Sequence, residues 1–405
     1  MRNGRMFKIF YYFHQIYFKR WKMQPKSLIE IFSEVPDPRI NRTRKHKLID
    51  IIVMTICGLI CKSETWTEIA DYADANEEWF KKFLELPGGI PSHDTFGRVF
   101  SLIDPLEFQK AFYEWTQLVA KICEGEIISL DGKYNTASLT VPGNPRSVTG
   151  MVSAWASNSG VALAAFKTDF DKNGEKKVYK DLLSFLNIKG CIVTIDAYGC
   201  HADIANQIIE NDGDFILSLK NNQRIIYEAV EDFFNSDVGV VEQFETKETG
   251  HGRKERRVCR SAFFDLNWIE CDRKAKKRLS QWQGIVSVIE VKSERTLKSK
   301  VSSQTRYYIS SLLPDSEKML NAIRSHWGIE NKLHYALDVS FDEDHSRIRM
   351  KYAAENFSTA RRLALNLVRK EPSLARSINR KRLMCLWKND YLLKVIRGMT
   401  PDDII

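Results

Sequence analysis

No stretch of this sequence approaches the roughly 20 consecutive apolar residues that span a bilayer. The most apolar early segment, Phe7 to Phe18, is interrupted by Lys8, His14 and Gln15, and it lacks the small-residue cleavage site of a signal peptide. Met23 offers a second start, with Met1 to Lys22 as an upstream extension. The eight cysteines include no CxxC pair. Cys57 and Cys61, four apart on an apolar stretch, read as buried helical thiols, and the compartment as reducing and cytosolic. The zincin pattern HExxH is missing, and so are internal repeats and low-complexity linkers.

What is present is a chain of 405 residues, room for two or three domains, with 43% hydrophobic and 28% charged residues. That balance excludes wholesale disorder. The net charge of +9 is unevenly spread. Residues 1–47 carry 12 Lys/Arg against 3 Asp/Glu, residues 244–300 carry 15 against 8, and residues 345–397 carry 14 against 3. Basic segments flanking an acidic body suit a protein that grips a polyanion while keeping carboxylates for another task. Solvated helix faces would give basic runs as well.

The region from about 25 to 123 reads as helical, with pieces at Ser27 to Ser33, Leu48 to Cys61, Thr65 to Glu85 and Pro105 to Cys123. Pro36-Asp37-Pro38, Pro87-Gly88-Gly89 and Pro91-Ser92-His93-Asp94 punctuate it as turns. From Glu126 the pattern turns to β. Strands are expected at Ile127 to Leu130, Met151 to Ala156 and Val161 to Thr168, then at Cys191 to Ile195 and Phe215 to Leu219, with helices at Val178 to Leu186 and Ala202 to Asn211 between them. This predicts an α/β sheet that begins antiparallel and continues parallel. Residues 224–312 read as a basic β-rich insertion with strands near Arg256 to Phe264, Gly284 to Val291 and Arg306 to Ser311. Helical periodicity returns after Asp315, an N-cap candidate, and again over Ala353 to Arg369.

Asp131 and Asp196 each stand immediately after an apolar strand, and open α/β sheets place ligands at the carboxyl ends of their strands. Glu330 lies on a helix, where Ile329, Leu333 and Leu337 form a core face. His326, Glu330, His334 and Asp338 form a second four-spaced row. Three carboxylates are the hard oxygen donors that Mg2+ takes, and two ions roughly 3.5–4 Å apart can activate an attacking oxygen and stabilise a leaving one. A strand-terminal Asp serves equally as a turn or helix-cap residue, so position alone leaves both roles open. The two histidines are expected to contact DNA or to order the site.

These residues also carry a resemblance. From about Leu28 to Leu393 the chain resembles the transposases of bacterial insertion sequences, in the branch of the H-repeat-associated proteins. It rests on Asp37-Pro38-Arg39 with His46-Lys47-Leu48-Ile49-Asp50, Ile90-Pro91-Ser92-His93-Asp94-Thr95, Leu130-Asp131-Gly132-Lys133 and Thr194-Ile195-Asp196-Ala197 with Gly199-Cys200. Leu219-Lys220 with Asn222-Gln223, His251-Gly252-Arg253 and the segment from His326 to Asp338 continue it.

The resemblance implies an RNase H-like catalytic core with a DDE triad on Asp131, Asp196 and Glu330, binding two Mg2+ or Mn2+ ions. The expected division is a basic extension (1–24), a helical transposase-associated domain (25–123), the first part of the core (124–223), the β-rich insertion (224–312), the glutamate helix and end of the core (313–370), and a basic tail (371–405). The implied activity is cleavage of transposon ends and strand transfer into target DNA. Its implied partners are double-stranded DNA, as terminal inverted repeats and target, and a second copy of the chain on that DNA. A bacterial cytoplasmic, nucleoid-associated location and no membrane follow.

Lys133, Lys220, Arg253, Lys254, Arg256, Arg257, His326 and Lys332 are the candidate DNA contacts, with Arg347, Arg349, Arg361 and Arg362 behind them. Each cation could equally be a solvated surface charge. A nuclease that cuts without joining, or a DNA-binding protein derived from a transposase, are the alternatives. The chain departs from relatives at Tyr134-Asn135-Thr136, where Thr-Leu-Arg is usual, and at Lys172 to Lys176, where Lys-Ser-Asn-Glu-Ile is usual. In the broader signature Y-x2-R-x3-E-x6-K its residues are Ile323, His326 and Leu337, so those roles are not carried over.

Overall fold

The computed structural model describes residues 26–397 apart from 121, 123, 135–149, 169–173, 237–241, 251, 271 and 298–299. The expected extension 1–24, the departures at Asn135-Thr136 and Lys172-Asn173, and His251 lie outside the described residues.

Five strands set the centre: β1 (Ile127–Tyr134), β2 (Gly150–Ala156), β3 (Val161–Thr168), β4 (Ile192–Ile195) and β5 (Asp214–Leu219). β1–β2 and β2–β3 pair antiparallel, whereas β1–β4 and β4–β5 pair parallel. The order β3-β2-β1-β4-β5 is that of an RNase H-like core. β4 is the unbroken apolar run Ile-Val-Thr-Ile, buried at every position, as a parallel strand covered on both faces should be.

The insertion is part of the same sheet. β6 (Glu242–Gly250), β7 (Arg253–Phe263), β8 (Ser287–Leu297) and β9 (Lys300–Ser310) form an antiparallel meander, and β9 joins β5 with Leu219 opposite Tyr307. The near ends of β8 and β9 are core, with Val288, Ile289 and Ile309 fully buried. Their far ends, Arg295 to Leu297 and Lys300 to Thr305, are mostly exposed. β6 gave no strand signal because it has one apolar residue, Phe244, among polar ones. Its backbone is recruited by β7 rather than by its own side chains.

Around the sheet lie α1 (Leu28–Ser33), α2 (Leu48–Ile60), α3 (Trp66–Ala75), α4 (His93–Phe100) and α5 (Pro105–Ala120). The segment Pro91 to Asp94, expected as a turn, instead starts α4, and the helix expected to reach Glu85 ends at Asn76. Next come α6 (Gly174–Phe185), α7 (Ala202–Glu210) and α8 (Arg224–Asn235), the last unexpected. α9 (Ser316–Gly328) starts at Asp315, whose side chain accepts from Lys318 N as its N-cap role requires. It passes through a π-helical segment, Ile329–His334, into α10 (Tyr335–Phe341). α11 (Ala353–Lys370) is buried along most of its length between the N-terminal helices and β3. There the Asn366 amide pairs with both the N–H and the C=O of Ala162, satisfying backbone groups on the sheet edge.

The expected basic tail is largely helical. α12 (Ile378–Trp387) and α13 (Asn389–Arg397) bury Cys385, Leu392 and Val395 against the N-terminal helices. Arg382 reaches the Leu59 carbonyl and Glu64 there. In α13 the apolar residues fall on one face between the basic ones, a pattern that total charge conceals. No helix of the described residues is long and apolar enough to cross a membrane.

Candidate active site

Asp131, expected just after its strand, lies within β1, which continues to Tyr134 against β2; its parallel pairing with β4 stops one residue earlier. Leu130 pairs with Ile195, which brings the next residues, Asp131 and Asp196, to the same edge. Asp196 also caps the short turn after β4, accepting from Tyr198 N at 3.0 Å and Gly199 N at 3.4 Å. Both roles left open by the sequence are therefore physically compatible there. Glu330 is exposed, on the π-helical segment that packs over β1.

The carboxylates feel one another. Burial, and then the negative charges of Asp196 and Glu330, push the Asp131 carboxyl up to about 7. Among the described residues no three His, Cys, Asp or Glu side chains converge tightly enough to enclose a metal ion. The three groups thus interact electrostatically without meeting at one point.

The four-spaced row faces this edge. His326 Nδ1 lies 3.0 Å from Thr194 Oγ1, and Thr194 in turn donates to Ser129 Oγ. Burial lowers the His326 imidazole to about 4 despite nearby Asp196. His334 Nδ1 is 3.6 Å from Asp131 Oδ2, and burial, with Arg362 and Lys133 nearby, lowers it to about 3. Both shifts favour the neutral imidazole at pH 7.

Lys133, expected at a phosphate, is held inside the protein. Its ammonium is 2.6 Å from Asp344 and 3.7 Å from Glu343, and it also contacts Asp338. Behind it Arg362, fully buried, donates to Glu343 at 2.9 Å and to Ser153 Oγ at 3.0 Å. Ser153 is the cross-strand partner of Asp131. Burial alone would raise Glu343, but Arg362 and Lys133 outweigh it and bring the group to about 2. Arg361 is buried as well and pairs with Glu64, so neither of these arginines is a surface contact.

The insertion arginines are also engaged. Arg256 pairs with Glu245 and Glu294, Arg257 with Glu248 and Glu255, and Arg253 with Glu255. Lys220, just past β5, together with Lys254 and Lys332, is exposed and has no ion-pair partner among the described residues. Arg347 and Arg349 line a cleft of about 720 Å³ with Arg98.

Glu175 was missed. Its carboxyl is raised by burial and by Asp196, and a Cβ on Gly132 would come within 2.5 Å of its Oε1. Glu175 thus packs directly against the backbone beside Asp131. The signal was available in Glu175 itself, an acid at the start of a helix beside the site.

With this geometry in view, comparison with known proteins defines the class. A family model described as "Transposase DDE domain" matches residues 141–367, and one described as "DDE_Tnp_1-associated" matches residues 29–116. The chain belongs to this DDE transposase family, in the H-repeat-associated branch. Asp196 and Glu330 fall inside the longer match and Asp131 precedes it. "Putative transposase YncI" of Escherichia coli O157:H7 is 37% identical over 380 residues, covering 92% of this chain and 95% of that one. "H repeat-associated putative transposase YhhI" of Escherichia coli K12 is 32% identical, covering 93% and 99%. "Inactive transposase YbfQ" of Escherichia coli K12 is 39% identical over 20% of this chain and 94% of its own length. The piggyBac transposase synaptic complex with hairpin DNA superposes with a TM-score of 0.34 at 13% identity, over 93% of this chain and 81% of that one, a likeness too low to carry weight.

Proposed function

We propose that this chain cuts transposon ends and joins them to target DNA, with Asp131, Asp196 and Glu330 as the metal-binding catalytic set. The observation that carries the reading is the parallel register that sets Asp131 beside Asp196, where burial and the charges of Asp196 and Glu330 push the Asp131 carboxyl up to about 7. Lys133, the adjacent cation, is committed to Asp338, Glu343 and Asp344. Hard oxygen donors without a compensating cation are the chemistry that Mg2+ or Mn2+ takes, and the three would draw together to enclose such an ion. Two such ions, when bound, supply charge stabilisation for the attacking and leaving oxygens of a phosphodiester.

The protein's own residues prepare that site. Asp131 must lose its proton to act as a ligand. Neutral His334 stands beside it without adding a competing positive charge. His326, fixed by Thr194, holds the glutamate helix against the end of β4. Lys220, Lys254 and Lys332 remain available to meet phosphates as the DNA enters.

Labelled DNA from either flank of the gene, incubated with Mg2+ and a target plasmid, tests the reading. Joined product is expected. Cut ends alone would indicate a nuclease, and bound but intact DNA a binding protein. Asp196→Asn and Glu330→Gln should each reduce cleavage to background while DNA binding persists.

A further inference from the structure

A second basic site stands at the other end of β1. The β2–β3 turn meets the strand's amino end, where Ser157 N donates to Ile127 O. Asp131 is four residues further along, about 13 Å at the rise of a strand. Beside this turn lies an open depression of about 600 Å³ lined by Arg369, Lys370, Arg376, Ser377 and Lys381.

Its cations outnumber the two nearby acids, Glu126 and Glu371, which act on Lys370 and Lys381. Arg369 lies over the Trp155 ring at 4.9 Å and donates to the Lys332 carbonyl, and its Nη1 is buried without a hydrogen-bond partner. Among the described residues Arg369, Lys370 and Arg376 make no ion pair. Lys381 donates to the carbonyls of Val368 and Glu371, and its charge also acts on the Glu371 carboxylate. Two acids are close. Glu371 is occupied by Ser373 N and Tyr391 Oη, and Glu126 by the backbone of the β2–β3 turn. Ser377 leads into α12, where its side chain makes no capping bond, so the helix's first N–H groups add positive potential.

The Arg369–Lys332 bond joins this depression to a second one, lined by Ser157, Asn331 and Lys332 on the glutamate helix. We infer that residues 369–377 form a phosphate-binding site, and that a backbone phosphate of a DNA duplex leading away from the carboxylates occupies it. Two cations in succession, Arg369 and then exposed Lys332 beside the adjoining depression, favour duplex DNA over a free anion. The inference rests on DNA being the substrate.

Binding of a fluorescent duplex to the full chain, in EDTA and across a salt series, tests it. Wild-type binding checks the functional reading separately: no binding by the wild type overturns both. If the wild type binds, Lys370→Gln/Arg376→Gln should weaken affinity about tenfold at low salt and lower the salt slope by about 1–2, roughly 0.9 per lost phosphate contact. Arg369→Gln should act in the same direction, and the double variant, at half-buried Lys370 and exposed Arg376, keeps the test decisive if that variant misfolds. An unchanged slope overturns the inference. Inorganic phosphate titrated alone provides the other arm: saturable binding abolished by the double variant, with DNA binding untouched, would assign the site to a free anion and overturn its place on the DNA path.

Discussion

Lys133 sits two residues beyond Asp131 on β1, so both side chains leave the same face of the strand. On the facing helix His334 and Asp338 are one turn apart, and the contacts run Asp131 to His334 and Lys133 to Asp338. This pairing fixes the register of the glutamate helix on the sheet. Lys133→Met leaves three carboxylates facing one another in a largely buried place. It should destabilise the protein by about 3–5 kcal/mol, measured by urea unfolding. Asp131 gives a prediction of opposite sign. Its folded pKa, about 7, is above the usual carboxylate value, so protonation favours the folded state and that contribution fades as pH rises towards and through 7. Metal-free Asp131→Asn should therefore melt higher than wild type at pH 8 and about equally at pH 4, as scanning calorimetry would show. The aspartates were legible because each ends an apolar run. The commitment of Lys133 was not, because Asp338, Glu343 and Asp344 reach it from more than 200 residues away.

The glutamate helix was read from its spacing, and Ile329, Leu333 and Leu337 are fully buried as expected. The π-helical segment was not legible, since neither glycine nor proline marks it internally. It has a geometric use. On an α-helix a four-spaced row drifts by about 40° per step. A turn closed by i→i+5 bonds takes more than four residues and reverses that drift, helping to keep His326, His334 and Asp338 towards the sheet. Deleting Asn331 should restore a plain α-helix, turning Glu330 by about 30° relative to His334 and drawing the two closer along the axis. We expect cleavage to be lost while helicity measured by circular dichroism is retained. The insertion shows the limit of charge counting. Its basic excess marked it as a DNA surface, yet Arg256 is neutralised by Glu245 and Glu294. Arg256→Gln should leave DNA affinity within about twofold, in keeping with the small worth of exposed ion pairs.

At the scale of the whole molecule, one charge network ties the parts together. Glu64, following α2, pairs with Arg361 of α11 and Arg382 of α12. Arg362, next along α11, continues through Glu343 to Lys133 beside the carboxylates. The succession of core strands along the chain and the helical N-terminal region could be read from local patterns, because apolar period and turn residues are local signals. The union of the two chain ends around α11 could not, because it depends on which buried faces meet. The central claim remains that Asp131, Asp196 and Glu330 hold divalent cations for phosphodiester chemistry. Calorimetric titration of Mn2+ into the full chain, wild type beside Asp196→Asn and Glu330→Gln, tests it most directly. We predict saturable binding by the wild type that strengthens from pH 6 to pH 8 and is lost or strongly weakened in both variants. Undiminished binding in either variant would contradict the assignment.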